Sequence, residues 1–218
     1  MHASSAVVTR CVTIRHAAMP TPAGRVPIIP TLALFDLGAG DPAARPTARS
    51  GYLAARAAGG QQLLVGRVGA GTGAYTSQWR GPELRRPGGL GYAERRLGDL
   101  VVGALCAVNA FGDIDLGTTD ISLDAVARLD GGFDFVHSRD HTTIGVVLTN
   151  ARLDKAGCRV VAQGAHDGLS RALTPPHTRF DGDGFIAAAT GGVDAHVDTV
   201  RLMAPAAVVD AIRSVAAR

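Results

Sequence analysis

Apolar and polar positions alternate along this chain in two periods, and the periods place its elements. Residues 100–111 open on Leu100-Val101-Val102-Gly103-Ala104-Leu105-Cys106-Ala107-Val108, a continuous apolar run of strand length that reads as a buried strand. Residues 143–149 read the same way, residues 185–189 as a further short strand, and residues 31–37 as a short strand following a connector. That connector, Val26-Pro27-Ile28-Ile29-Pro30, holds two prolines and so suits an edge or a link better than a central strand or a helix interior. Helical spacing governs residues 154–172, with Val160, Val161, Ala165, Leu169 and Leu173 recurring, Gly164 and Gly168 weakening the pattern and Pro175-Pro176 closing it. Residues 46–58 are Ala-rich behind Pro46 and stop at Gly59-Gly60, and residues 205–217 form a final amphipathic helix. The glycine-dense stretch 66–91 and residues 120–139 read as loops, the latter leading to Thr142. Residues 1–24 have weak periodicity and form a loosely attached leader, leaving residues 25–218 as a single α/β or α+β domain.

Composition narrows the function without naming it. A net charge of +3, with Lys155 the only lysine and no Lys/Arg run interleaved with aromatics, gives no nucleic-acid footprint. The longest apolar run falls well short of the roughly 20 residues of a membrane helix, so no membrane partner is expected. Arg10 breaks the apolar patches near the start, which leaves no secretory signal. Cys11, Cys106 and Cys158 are odd in number and widely spaced, so they suggest neither a disulfide framework nor a zinc knuckle, and a reducing cytoplasm fits. Cys106 is expected to pack as a small hydrophobe.

Several arrangements of reactive residues compete. Gly69-Ala70-Gly71-Thr72-Gly73-Ala74 invites a phosphate-loop reading, but it lacks the Walker lysine and the G-x-G-x-x-G spacing. His166-Asp167 and His177 with Asp181-Gly182-Asp183 gather imidazoles and carboxylates, yet the histidines stand eleven apart and form no close ligand pair, so no metal or other cofactor is called for. Asp181-Gly182-Asp183 equally suits a turn. G-x-S-x-G is absent, which removes the main signature of a serine hydrolase. Thr142-Thr143, at the mouth of the strand 143–149, are either strand-forming β-branched residues or the site of a nucleophile made by cutting the chain after His141. An amino-terminal threonine carries its own base, since its α-amine titrates at about 7.7–8.0.

Taken in order, Pro27-Ile28-Ile29-Pro30 with Phe35-Asp36-Leu37, Gly69 through Ala74, Gly103-Ala104-Leu105 with Val108-Asn109-Ala110-Phe111-Gly112-Asp113, Thr142 through Ala151, His166 through Ala172, and His177-Thr178 with Asp181-Gly182-Asp183 resemble the self-processing aminopeptidases. That family includes L-aminopeptidase/D-esterase and the β-peptidyl aminopeptidases. The resemblance implies a four-layer α/β/β/α sandwich of the kind also seen in ornithine acetyltransferases, here incomplete at the N-terminus because residues 1–24 do not match the segment that precedes Val26 in relatives. It implies a hydrolase acting on the amino-terminal residue of short peptides or amides, self-cleaved into 1–141 and 142–218, with Thr142 as nucleophile and no cofactor. Asn109 matches the oxyanion-hole asparagine, and Thr178 with Asp181 or Asp183 falls where relatives supply a second hydroxyl and a carboxylate. Gly71 and Gly73 fall in a substrate-binding loop, and homo-oligomers are common. His141 stands where most relatives carry Asn or Gly before the nucleophile. The alternative is a catalytically silent relative that serves as an interaction module.

Overall fold

A computed structural model describes residues 18–27, 29–59, 63–117 and 141–216. Its centre is a four-stranded sheet of β5 (Gly89–Leu97), β6 (Leu100–Val108), β8 (Ile144–Ala151) and β10 (Gly184–Val193), in the spatial order β10-β8-β6-β5. The pairs β5–β6 and β6–β8 are antiparallel, whereas β10 lies parallel to β8, Gly184 opposite Ile144. A parallel pair needs a long crossover. Helix α2 (Lys155–Ala172) supplies most of it.

Two helices cover one face of the sheet. Helix α2 begins where Asp154 accepts the Gly157 N–H at 2.7 Å, satisfying one of the unpaired first-turn donors. Helix α3 (Val197–Ala216) packs across α2, β5 and β6. Even-numbered residues of β6 (Leu100, Val102, Ala104, Cys106, Val108) meet Val161, Ala165 and Leu169 of α2 and Val200, Ala204, Val208 and Ile212 of α3 in one buried core. Gly164 and Gly168, which weaken the helical pattern in sequence, have a packing reason. A side chain at Gly168 would run into the Pro205 backbone and Val208, and one at Gly164 into Arg201. The two helices approach across these glycines more closely than side chains allow.

The opposite face stays apolar. Leu105, Val146 and Ile186 stand in one row across three strands, and beside them Leu148 is half exposed. A trough of about 250 Å³ there is lined in part by Ile29, Pro30, Thr31 and Leu32. The described residues thus supply one helical layer and one large sheet of a layered α/β fold.

Smaller elements frame this unit: the hairpin of β1 (Ala18–Thr21) and β2 (Gly24–Pro27), helix α1 (Ala48–Ala57) with a Thr47–Ser50 capping box, β3 (Tyr75–Thr76) paired with β4 (Arg86–Pro87), and β7 (Asp113–Ile114) paired with β9 (Leu173–Thr174). The strands expected at 100–111, 143–149 and 185–189 and the helices expected at 46–58 and 154–172 are all present. Residues 31–37 are not a strand. Asp36 there turns back to accept the Gly73 N–H at 3.1 Å, so the segment is held by a side chain and not by a ladder. The last helix starts at Val197, eight residues before Pro205, which sits inside it. β5 was hidden by its glycines, which allow the backbones of Gly66 and Ala211 to pass close to Gly89 and Gly91. The loop expected at 120–139 and the first seventeen residues of the leader lie outside the described residues, while residues 18–21 and 24 belong to the hairpin.

Candidate active site

The segment 141–143 extends the parallel pairing of β8 and β10 beyond their ends, and this backbone ladder builds the site. His141 bridges to Asp181, and its carbonyl accepts the Gly182 N–H at 2.9 Å. The Thr142 N–H donates to the Asn109 carbonyl at 2.7 Å, and the Gly184 N–H reaches the Thr143 carbonyl at 3.2 Å. Both sides of the peptide bond between His141 and Thr142 are therefore held, the carbonyl by one donor and the amide by one acceptor. Thr142 is buried at the same place, and its Oγ1 lies against Gly182, where an added Cβ would stand 2.8 Å away.

Asn109 follows the last residue of β6 and is buried. Its Oδ1 accepts the Tyr75 N–H at 3.0 Å, and its Nδ2 donates to the Phe35 carbonyl at 3.0 Å. Those bonds fix the plane of the amide.

The carboxylates divide their work. Asp181 Oδ2 accepts from the Thr178 hydroxyl at 2.6 Å and the Thr178 N–H at 2.9 Å, while Oδ1 accepts the Phe111 N–H at 3.2 Å. Thr178 and Asp181 are thus bound to each other and to the Phe111 loop. Phe111 packs with Trp79 and Phe180 in a separate small core, with the His141 ring 5.3 Å from that of Phe111. Asp183 points the other way. Its Oδ1 accepts the Thr143 N–H at 2.8 Å, and its Oδ2 meets His177 Nδ1 at 2.8 Å. The Asp183 side chain is only 3% exposed. Burial pushes its carboxyl up to about 6, an effect that the Thr143 N–H offsets in part, that the negative charge of Asp181 adds to, and that His177 opposes.

This raised value makes Asp183 a pH-dependent cost to the fold. The native state binds the proton more tightly than the unfolded chain, whose carboxyl titrates near its ordinary 3.8, so stability is gained as pH falls through about 6 and lost as it rises. Asp183→Asn is expected to be more stable than the parent at pH 8 by about 2–3 kcal/mol, with the difference shrinking as pH falls below about 6 and closing near pH 4. Urea unfolding at the two pH values checks it, and an equal difference at both would count against the buried charge as the cause.

The two loop glycines have different surroundings. Gly71 is packed on the backbone of Gly66, Gly89 and Leu90. Gly73 lines a cavity of about 190 Å³ together with Phe35, Asp36, Gln78, Arg85, Asn109 and His141. The cavity therefore reaches His141, on the carbonyl side of the His141–Thr142 bond. Among the described residues no group of three or more metal-ligating side chains forms. Cys106 is fully buried, and burial pushes its thiol up to about 12, in keeping with a packing role.

Gly182 is the site residue that sequence reading missed. The sequence allows Asp181-Gly182-Asp183 a turn, and Gly182 there supplies an N–H to the His141 carbonyl and the space beside the Thr142 hydroxyl. His177 and His166, which the sequence offers as metal ligands and as parts of the family motifs, stand behind Asp183. The signal for all three was their neighbourhood within the 166–183 block, which period-based reading cannot resolve into contacts.

Thr142 thus stands at the mouth of β8, and its preceding peptide bond is held from both sides. The chain belongs to peptidase family S58, whose model matches residues 1–218. A Mycobacterium leprae protein described as an uncharacterised aminopeptidase is 42% identical over 194 residues, covering 79% of this chain and 52% of that protein. The 6-aminohexanoate-oligomer endohydrolase of Paenarthrobacter ureafaciens is 29% identical over 184 residues, covering 77% and 51%. Among solved structures, the L-aminopeptidase D-Ala-esterase/amidase of Ochrobactrum anthropi, described as a variant of the Ntn hydrolase fold, aligns with a TM-score of 0.58 at 23% identity, covering 78% of this chain and 49% of that one. It establishes the fold. The chain spans about half the length of the curated relatives it matches.

Proposed function

We propose that the chain is an aminopeptidase or amidase that uses Thr142 as its nucleophile after cutting itself at the His141–Thr142 bond. The observation that carries this reading is the double grip on that bond, Gly182 N–H on the His141 carbonyl and the Asn109 carbonyl on the Thr142 N–H, with Oγ1 of Thr142 beside Gly182. In the first step Oγ1 attacks the His141 carbonyl carbon, and charge gathers on the oxygen that the Gly182 N–H faces. The C–N bond then breaks, the hydroxyl proton passes to the Thr142 nitrogen, and an ester joins the two pieces. Water hydrolyses the ester and frees the α-amine of Thr142, which serves as base in later turnovers.

In turnover a short peptide or amide presents its carbonyl where His141 stood. Asn109 serves the developing oxyanion in this scheme, its amide held beside the Thr142 N–H by Tyr75 and Phe35, while Asp181 holds Thr178 and the Phe111 loop. Departure of His141 enlarges the cavity that Gly73, Asp36 and Arg85 line, which makes it the site of substrate binding. The printed names of the relatives, an aminopeptidase and an oligomer endohydrolase, share amide hydrolysis and support that class. Free Cys106 and Cys158 suit a cytoplasmic setting, and the open apolar face of the sheet suits a homo-oligomer.

Intact-mass measurement of the purified chain tests the reading. Fragments 1–141 and 142–218 are expected. A single uncut chain without amide hydrolysis would favour the silent, interaction-module alternative.

A further inference from the structure

Behind the candidate nucleophile runs a chain of contacts that the hydrolytic scheme does not use. Thr143 N–H donates to Asp183 Oδ1 at 2.8 Å, Asp183 Oδ2 meets His177 Nδ1 at 2.8 Å, and His177 Nε2 lies 3.4 Å from Nδ1 of His166. It crosses three elements, from the entry of β8 through the entry of β10 and the 175–183 loop to α2. His166 stacks edge-on against Phe185 of β10, centroids 5.0 Å apart at 79°, and Phe185 fills the space left by Gly145 of β8.

The backbone marks His177 as more than a turn residue. Its φ of 47° lies in the left-handed region, which few non-glycine residues adopt. A residue that only had to turn the chain would have no use for an imidazole there. What the conformation accomplishes is to bring Nδ1 onto a carboxylate that is otherwise buried.

The charged surroundings are few. Asp183 faces His177 and, further off, Asp181. His166 faces His177 and lies next to Asp167 on α2, which Arg201 of α3 holds at 3.1 Å. Burial, then the neighbouring His177, push the His166 imidazole below its ordinary range, against a smaller opposing pull from Asp167. A neutral His166 can accept a hydrogen bond from Nε2 of His177, and a His177 protonated at Nδ1 donates to Asp183.

We propose that His177, itself exposed and backed by His166, is a positioning residue that donates Nδ1–H to the buried Asp183 and holds that carboxylate ionised against the Thr143 amide. The consequence for catalysis rests on the Thr142 reading: the amide anchored by Asp183 is the one that follows the nucleophile, so its proton state sets how firmly Thr142 is aimed.

The test uses the full-length Thr142→Ala chain labelled with 15N, so that it needs no turnover. Ring nitrogen shifts are expected to place a proton on Nδ1 of His177 at pH 7. The Thr143 amide resonance is expected to titrate with a midpoint near pH 6, and His177→Gly, which suits the left-handed backbone and removes the N–H donor, should raise that midpoint by about one pH unit or more. A bare Nδ1 in the parent, or an unchanged Thr143 midpoint in His177→Gly, overturns the proposal. If His177→Gly loses its dispersed amide spectrum, the Nδ1 assignment in the parent decides alone. A parent with threonine at 142 that stays uncut sinks the nucleophile reading and leaves these spectra unaffected. Where it cuts, the pH profile of fragment release in His177→Gly should move upward with the amide midpoint, and an unmoved profile also counts against the proposal.

Discussion

Thr142→Ala is expected to give one intact chain and to lower amide hydrolysis by about ten-thousandfold or more, the loss typical of removing a nucleophile whose partners act as a unit with it. The physical reason is that nothing else in the described site takes its place. Thr143 is buried on the strand's next position with its hydroxyl on the other side of the backbone pleat, and the Thr178 hydroxyl is committed to Asp181 at 2.6 Å. Thr142→Ser is the control. It keeps the hydroxyl and the α-amine and loses only the methyl group that stiffens the side chain, so it should still cut and turn over. Equal fragment patterns for the alanine and serine variants would show that the cut comes from another protease, and comparable hydrolysis rates would remove Thr142 from the chemistry. Because the side chain is small and lies at the end of a strand and not inside the core of α2, α3 and β6, the alanine variant is expected to unfold at nearly the parental urea midpoint, which separates lost chemistry from lost fold.

How much of this was visible beforehand depended on which force shaped each segment. β6 and β8 were legible because each is an apolar run buried by α2 and α3, and burial is what hydropathy records. α2 was legible to within a residue, since Asp154 caps it and Pro175 follows it. β5 was not, because its buried positions are the glycines Gly89 and Gly91 and its second half carries Glu94, Arg95 and Arg96 on an exposed edge. The start of α3 was misplaced for the opposite reason: Pro205 looks like a boundary, but the tight contact with Gly168 holds it within a helix built from both sides. In the site, the resemblance to the self-processing aminopeptidases pointed to Thr142, Asn109, Thr178, Asp181 and Asp183, and the structure gathers all of them around the 141–143 and 181–183 ladder. Their division into a pair fastened to the Phe111 loop and an acid fastened to Thr143 depends on which way side chains leave two adjacent strands. That is a property of register, and no single segment carries it.

Gly182 makes the sharpest case for register, because its substitution should silence the site while sparing the fold. Its backbone lies outside the left-handed region, so alanine meets no conformational penalty there, and the residue is exposed. The new methyl would nevertheless stand 2.8 Å from Oγ1 of Thr142, closer than carbon and oxygen tolerate. Threonine has few ways to yield, since its β-branched side chain is restricted at χ1, and rotating Oγ1 away from Gly182 takes it off the line of attack on His141. A displacement of about 1 Å at a reacting atom is enough to cost on the order of a hundredfold. Gly182→Ala is therefore expected to slow the appearance of fragment 142–218 by about a hundredfold or more with its thermal midpoint within a few degrees of the parent. The time course followed by intact mass, together with a melting curve, measures both. The Gly182 N–H survives the substitution, so a slowed cut at unchanged stability isolates the space beside the hydroxyl from the hydrogen bond on the carbonyl. Cleavage at the parental rate would mean that Oγ1 attacks from a rotamer that does not face Gly182, and the geometry assigned to the first step would then be wrong.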